Sequence, residues 1–161
     1  MEKYTFSEIE EAHRPRLQHF IREFWGGDVM VSRGQAHYPA RQEGFRAERG
    51  GVLVGVVTYT VQNGEMEVTL LDSREREQGV GSRLIELAVE RARHLGCSRV
   101  WMITTNDNIR AFRFYQKRGF NLAALHRNAL EESRKLKPGI PATGQEGIPI
   151  RHELEFELRL G

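Results

Sequence analysis

Apolar residues recur at intervals of three and four positions in three stretches of the chain, and they form short runs or alternate with polar residues in others. The first periodic stretch predicts an amphipathic helix, because Pro15 suits a first helical turn and the pair Gly26-Gly27 would end it. The apolar positions of this helix are Leu17, Phe20, Ile21 and Phe24.

From Gly44 onward the pattern changes to short runs separated by glycine-containing turns. The runs at 44–48, 52–61 and 65–71 have the length of strands, and the latter two are rich in Val, Thr and Leu. Asn63-Gly64, between the second and third runs, is a strong hairpin signal because both residues tolerate positive φ. We therefore expect antiparallel strands in this region.

The second half of the chain alternates helices and strands. A helix is predicted from Val80 to Leu95, ended by Gly96, and the run at 99–104 reads as a buried strand. Strand, helix and strand make a crossover unit, so the strands on either side of the helix should be parallel. A helix at 109–118, strands at 120–125 and 153–160 and a Pro/Gly-rich loop at 138–149 complete an α/β fold with a mixed sheet. The apolar face expected of the longer helix is Leu84, Ile85, Ala88, Ala92 and Leu95.

Length and composition narrow the class of protein. A chain of 161 residues suits one domain, 1–161. With 29% charged and 39% hydrophobic residues, and no apolar run near the length of a spanning helix, we expect no membrane partner. The N-terminus has no apolar signal region, which favours a cytoplasmic location. The net charge of +2 argues against nucleic acid, and the single Cys97 rules out an intramolecular disulfide and favours no metal site.

Two glycines one residue apart stand in the segment REREQGVGSRL, residues 74–84, between a predicted strand and a predicted helix. A helix N-terminus exposes free N–H groups and the positive end of the macrodipole, and glycine lets a phosphate approach the backbone. A dinucleotide fingerprint would need glycine at Leu84, and no Walker triplet occurs in the chain. Taken alone, the segment is either an anion site or only a glycine-initiated helix.

A second motif follows in TTNDNIRAFRFYQKRGF, residues 104–120, where Asn108 suits a helix N-cap. Together the two motifs resemble the GNAT superfamily of N-acetyltransferases. The loop fits that family's Arg/Gln-x-x-Gly-x-Gly/Ala signature at residues 76–81. The second segment fits its Asn-x-x-Ala-x-x-Phe-Tyr-x-x-x-Gly-Phe signature at Asn108, Ala111, Phe114, Tyr115, Gly119 and Phe120.

The resemblance implies a GNAT-like sheet, mixed but mostly antiparallel, in which the parallel fourth and fifth strands splay apart to admit coenzyme A. It implies acetyl-CoA as donor, with the pyrophosphate on the N–H groups of residues 78–82 and the pantetheine arm along the strand 67–73, as an added strand. A backbone N–H near Leu71 would stabilise the oxyanion. The cofactor-binding residues implied in this way are Leu70, Leu71, Ser73, Arg76, Gln78, Gly79, Val80, Gly81, Ser82, Asn108, Ala111 and Tyr115.

Acetyl transfer to an amine needs a base, since an alkyl amine titrates near pH ~10.4 and is mostly protonated at neutral pH. Glu65 and Glu67 lie on one face of the predicted strand, and we choose Glu67 because it lies deeper; a solvated strand-end carboxylate is the alternative. The resemblance implies that Tyr115 protonates the departing thiolate. The expected partner is a small-molecule or peptide amine, and a homodimer is possible; a non-catalytic acyl-CoA sensor on the same fold is the competing function.

Two further features stay open. His126 could face the acceptor or be structural. The basic run SRKLKP at 133–138 could be a solvated face, or it could attract an acidic acceptor or the phosphates of CoA.

Overall fold

The structure, a computed structural model, describes residues 3–76 and 78–161. The helices within these residues are α1 (Arg14–Trp25), α2 (Val80–His94), α3 (Ile109–Lys117) and α4 (Leu130–Leu136). The strands are β1 (Thr5–Glu8), β2 (Met30–Ser32), β3 (Gln35–His37), β4 (Glu43–Arg49), β5 (Val52–Gln62), β6 (Glu65–Ser73), β7 (Arg99–Thr105), β8 (Asn121–His126) and β9 (Glu153–Arg159).

Seven of these strands form one mixed sheet in the order β1-β4-β5-β6-β7-β9-β8, and β2 and β3 form a separate hairpin. Every pairing in the large sheet is antiparallel except β6 with β7, which is parallel. The predicted fold class and the crossover unit are thus confirmed. The resemblance implied that the fourth and fifth strands form the parallel pair; in this chain the pair is β6 and β7, because hairpin β2–β3 adds two strands ahead of it.

The parallel pair separates part of the way along its length. β6 and β7 pair only from Glu65↔Arg99 to Val68↔Met102, although β6 continues to Ser73 and β7 to Thr105. The register of β6 against β5 shifts here, with Thr58 opposite Leu70 and Tyr59 opposite Val68. A bulge bends its strand. Beyond Val68, one edge of β6 is therefore left without its parallel neighbour.

Each face of the sheet carries its own apolar core. On one face, α2 and α3 pack through residues such as Leu84, Ile85 and Tyr115 against the strands and Phe156. On the other face, α1 packs through Leu17, Phe20 and Ile21 against β5 and β6. Because side chains alternate along a strand, Met66 faces the α2 side while its neighbour Glu67 faces the opposite side.

The burial predicted for individual side chains is wrong at the end of α2. Leu95, expected on the apolar face of α2, is 52% exposed, because the helix ends at His94 and Leu95 is its cap. Cys97 is buried, as a packed small hydrophobe would be. Strand β1, hairpin β2–β3 and helix α4 were not predicted. Within the described residues, no helix has both the length and the apolar character needed to cross a bilayer.

Candidate functional site

A cavity of about 310 Å³ opens where β6 and β7 separate. Its floor is the open end of the two strands, and its walls come from both sides of the sheet. The lining residues from β6 and β7 include Glu67, Leu70, Leu71 and Met102. Asn108, Ala111 and Tyr115 line it from α3, and Met30, Ser32, His37, Leu130, Lys137 and Glu153 from the opposite face. The cavity thus brings together Glu67 and Tyr115, the two candidate catalytic residues.

Glu67 lines this cavity and is 9% exposed. The Ser32 hydroxyl donates a 2.5 Å hydrogen bond to Glu67 Oε2. His37 Nε2 lies 3.6 Å from Glu67 Oε1 and 3.1 Å from the Ser32 hydroxyl oxygen. Because the Ser32 hydrogen is already used, its oxygen accepts a hydrogen bond from His37. Hairpin β2–β3 therefore holds the carboxylate in one orientation.

The electrostatic surroundings of Glu67 make it a weak acid. Burial raises the pKa of Glu67 to about 7, the Ser32 hydrogen bond lowers it in part, and the carboxylates of Glu153 and Glu155 raise it further. Burial also lowers the pKa of His37, which favours its neutral form. A carboxylate that titrates near neutral pH can take a proton from a bound group and release it to solvent.

We predict that Ser32→Ala raises the pKa of Glu67 above its wild-type value, by about one unit, because the variant removes a hydrogen bond that favours the ionised form. A carbon-13 NMR titration of the glutamate side-chain carboxyls measures the change. Ser133→Ala is the matched control, since Ser133 donates its 3.1 Å bond to Glu153 instead. An unchanged or lowered pKa of Glu67 in Ser32→Ala contradicts the prediction.

Tyr115 faces the cavity from the other side of the sheet. Its ring packs against Phe114, Phe120 and Phe156, with centroids 5.3, 5.6 and 5.8 Å away. Burial raises the pKa of Tyr115, so the phenol stays protonated at neutral pH. No side chain among the described residues hydrogen-bonds its hydroxyl, which leaves the O–H free to donate into the cavity.

Asn108 caps α3, as predicted, because its side-chain oxygen accepts a 3.1 Å hydrogen bond from the Ala111 N–H. Both residues also line the cavity. Capping and lining are compatible, since a cap leaves the Asn108 amide nitrogen free. The structure therefore places Asn108 and Ala111 beside the open end of β6, together with Leu70, Leu71 and Tyr115.

The glycine loop lies outside the cavity lining, at the start of α2. Gly79 is the N-cap of α2, with a φ of 79°. Its carbonyl accepts a hydrogen bond from the backbone N–H of Arg83, so the first turn of α2 begins there. A side chain would strain this left-handed backbone, which is the reason for glycine at this position. A helix start exposes the N–H groups of its first turn, as an anion site requires.

Around this helix start, Arg76, Gln78 and Gly79 are exposed, whereas Val80 is buried in the core and can offer only its backbone. Glu77, within the predicted loop, lies outside the described residues. A Cβ at Gly81 would lie 3.5 Å from the Phe114 ring and 3.9 Å from Ser73 Cβ. The start of α2 therefore lies against both α3 and the end of β6.

Arg118 is a cation at this helix start that the sequence reasoning missed. Its Nε donates a 2.8 Å hydrogen bond to the Ser82 hydroxyl, and its guanidinium lies 3.8 Å from the centroid of the Phe114 ring. Arg118 forms no salt bridge with a carboxylate of the described residues. Its positive charge thus adds to the helix macrodipole beside the loop.

The loop predicted at 138–149, together with Ile150 after it, closes one side of the cavity. Asp107 accepts a 3.1 Å hydrogen bond from the Gln145 N–H, and Asn106 donates a 2.9 Å bond to the Pro149 carbonyl. These contacts fasten the loop to the start of α3. As a result Ile140 and Ile150 lie in the cavity wall.

Other sequence-level candidates lie elsewhere. His126 contacts Glu155 at 2.9 Å and does not line the cavity. Ser73 lines no part of it either, and its hydroxyl donates to the Glu75 carbonyl at 3.1 Å. The described residues hold no cluster of three or more His, Cys, Asp or Glu side chains arranged for a metal ion.

Around Glu67, three groups were not predicted from the sequence, namely Ser32, His37 and Glu153. A signal for the first two was present, because Arg33-Gly34 between two short runs is a possible two-residue hairpin turn, and both residues have positive φ. Glu153 stands at the start of a predicted strand, but its neighbours Arg33 and Ser133 lie far away along the chain. Only the tertiary structure brings these groups to Glu67.

Comparison with known proteins identifies the family. The sequence profile described as "Acetyltransferase (GNAT) family" matches residues 5–120. The chain is 38% identical over 147 residues to YdhI of Bacillus subtilis (strain 168), described as an uncharacterized protein, covering 91% of this chain and 92% of that relative.

Solved structures share the fold. An IAA acetyltransferase from Bacillus cereus ATCC 14579 superposes with a TM-score of 0.73 at 19% identity, covering 98% of this chain and 99% of the other. A Bacillus subtilis acetyltransferase in complex with CoA superposes with a TM-score of 0.68 at 20% identity, covering 99% and 100% of the two chains. The family match, the relative and the shared sheet agree, and the chain belongs to the GNAT family of acetyltransferases.

Proposed function

We propose that this protein is an acetyl-CoA-dependent N-acetyltransferase that moves the acetyl group to a primary amine of a small molecule, or of a peptide or protein, by direct attack. The observation that carries the proposal is the buried Glu67 carboxylate, with its pKa raised to about 7, in a cavity that reaches the open edge of β6. An extended pantetheine arm can pair with such an edge.

In the proposed reaction, the ammonium of the acceptor gives a proton to Glu67, and the neutral nitrogen attacks the thioester carbonyl carbon. The developing oxyanion accepts a hydrogen bond from a backbone N–H near Leu71, on the unpaired part of β6. The C–S bond then breaks, the thiolate takes the phenol proton of Tyr115, and the new amide nitrogen releases its extra proton to solvent. Solvent or Glu67 returns a proton to Tyr115 afterwards.

The start of α2 supports binding of the cofactor. The N–H groups at the start of α2, the left-handed Gly79 and the nearby Arg118 all favour an anion. We propose that the pyrophosphate of CoA lies here, with Arg76 at the outer rim. The bend between β6 and α2 then directs the arm past Ser73 into the cavity.

The competing function is an acyl-CoA sensor without catalysis. A thiol-release assay with acetyl-CoA and a broad panel of primary amines, combined with calorimetric titration of CoA, separates the two. Thiol release that requires an amine supports the enzyme. Tight CoA binding without release for any amine favours the sensor, and absence of CoA binding contradicts both.

We predict that Tyr115→Phe lowers kcat about tenfold, because the thiolate then leaves without a proton donor. General acid catalysis is worth more in many enzymes, but an alkyl thiolate is itself a good leaving group. The affinity for CoA should stay the same, and the ring should keep its packing against Phe114, Phe120 and Phe156. Steady-state kinetics and thermal unfolding measure these outcomes; an unchanged kcat would remove Tyr115 from the mechanism.

The cytoplasmic location and the homodimer remain predictions. Fractionation of the host cell and size-exclusion chromatography with light scattering test them.

A further inference from the structure

The basic run at 133–138 contains three cations with different roles. Arg134 donates to the carbonyl oxygens of Pro141 and Ile150 at 2.8 and 2.7 Å, and so fastens the loop 138–150. Lys135 forms an exposed salt bridge with Glu132 at 3.0 Å. Lys137 alone among the three lines the cavity.

The Lys137 ammonium has only part of its bonding capacity satisfied. Its Nζ donates a 2.9 Å hydrogen bond to the Val29 carbonyl, which uses one of three donors. It forms no salt bridge with any carboxylate of the described residues. Burial lowers the pKa of Lys137, as expected for a cation withdrawn from water without a counter-ion. A half-buried ammonium in a cavity wall is stabilised when a ligand supplies the missing anion.

The two carboxylates of the cavity, Glu67 and Glu153, differ in how many partners they already have. Glu153 is 1% exposed and already has partners: the Arg33 N–H at 3.1 Å, the Arg33 guanidinium at 3.5 Å and the Ser133 hydroxyl at 3.1 Å. Glu67 has one hydroxyl donor and a histidine at 3.6 Å. The carboxylate left to receive an ammonium is therefore Glu67.

Much of the remaining wall on this side of the sheet is apolar. It offers hydrocarbon contact but no charge to a bound molecule, and its members are Met30, Val31, Leu130, Ile140 and Ile150.

We propose that the acceptor is a small amine that also carries a carboxylate, such as an amino acid. Its amine lies at Glu67, its carboxylate accepts hydrogen bonds from the Lys137 ammonium, and a short hydrocarbon body lies against the apolar wall. This inference rests on the proposed function and adds the chemical class of the acceptor.

Lys137 also has a structural role, and the test must distinguish this role from ligand binding. It caps the C-terminus of α4, where a cation is favoured by the macrodipole, and it links that end to the segment between α1 and β2. A purely structural role would change stability and the rate with every acceptor alike.

The experiment compares acceptors that differ only in the carboxylate: γ-aminobutyrate with n-propylamine, and leucine with isopentylamine. The wild-type kcat/KM is expected to be about 10- to 100-fold higher for the carboxylate member of at least one pair, mainly through KM, as for a charge-assisted hydrogen bond. In Lys137→Met that ratio should fall to within about threefold of unity. Lys135→Met, the matched control, should keep the wild-type ratio.

Equal or better use of the plain amines by the wild type overturns the inference while leaving acetyl transfer intact. So does an equal loss with both members of each pair in Lys137→Met. If no amine is acetylated, the proposed function fails, but calorimetry in the presence of CoA still decides the class of ligand. The N-acetyl acids should then bind to the wild type and lose about tenfold or more in Lys137→Met; absence of binding to the wild type contradicts the inference.

Discussion

Glu67→Gln should lower kcat/KM for the acceptor by about 100- to 1,000-fold, the range typical of losing a general base. Glutamine keeps the size of the side chain and can still accept a hydrogen bond from Ser32, but it cannot take the amine proton. Affinity for CoA should not change, because the cofactor contacts proposed for β6 are made by its backbone. Steady-state kinetics and calorimetric titration of CoA measure the two quantities.

The pH dependence gives this prediction a second readout. Since Glu67 must be ionised to act as a base, wild-type kcat/KM should rise with pH through about 7, the value to which burial raises its pKa. Protonation of an alkyl amine adds a separate limb near pH ~10. Glu67→Gln should lose the lower limb and keep the upper one. A lower limb that persists in the variant would assign the base to another group.

The free energy of unfolding, measured as a function of pH, shows whether Glu67→Gln is still folded. Because the folded state raises the pKa of Glu67 from 4.5 to about 7, it binds more protons than the unfolded chain between these values. Wild-type stability should therefore fall as pH rises across this window, by up to about 3 kcal/mol at about 1.4 kcal/mol per pKa unit. Glu67→Gln should lack this fall, so at pH 8 it should be at least as stable as the wild type.

Gly81→Val should weaken CoA binding by about 100-fold while leaving the fold intact. The pyrophosphate must approach the N–H groups at the start of α2, and a branched side chain there occupies the space between α2, Phe114 and Ser73. Folding should tolerate the change, because Gly81 does not have positive φ and its Cβ would make contacts at an ordinary 3.5 Å. Calorimetry measures the dissociation constant, and thermal unfolding the stability.

Two variants sharpen this test. Gly81→Ala should lose less affinity than Gly81→Val, because a single methyl group takes less of the space. Gly27→Val is the remote control, since a Cβ at Gly27 meets nothing within 4 Å and its φ is not positive. Equal losses of affinity and stability in Gly81→Val would mean that the glycine serves only to start the helix.

Predictions from the sequence succeeded where the signal is local. The Asn63-Gly64 turn, the Asn108 cap and the four-residue spacing of Leu84, Ala88 and Ala92 each act within a few residues. Such signals depend on backbone sterics and side-chain spacing, which are the same before and after folding. Leu95 was misplaced because the end of a helix depends on its cap and not on periodicity.

Predictions were missing where contacts are distant in sequence. Hairpin β2–β3 has only three residues in each strand, and α4 only seven residues, too few for a clear period. Both elements are held by tertiary contacts, such as the Arg33 bond to Glu153 across 120 positions and the Lys137 bond to Val29 across 108. These elements line the side of the cavity on which Glu67 lies.

The sequence by itself determined the family, the crossover unit and the glycine loop at the start of α2, because two short motifs encode local turns and caps. It also identified Glu67 and Tyr115 as candidates for the chemistry. Only the tertiary structure decided that Glu67 is buried beside Ser32 and His37, and that Lys137 shares its cavity. The reason is physical: the pKa of a carboxylate and the need of an ammonium for a counter-ion depend on surroundings assembled from remote parts of the chain.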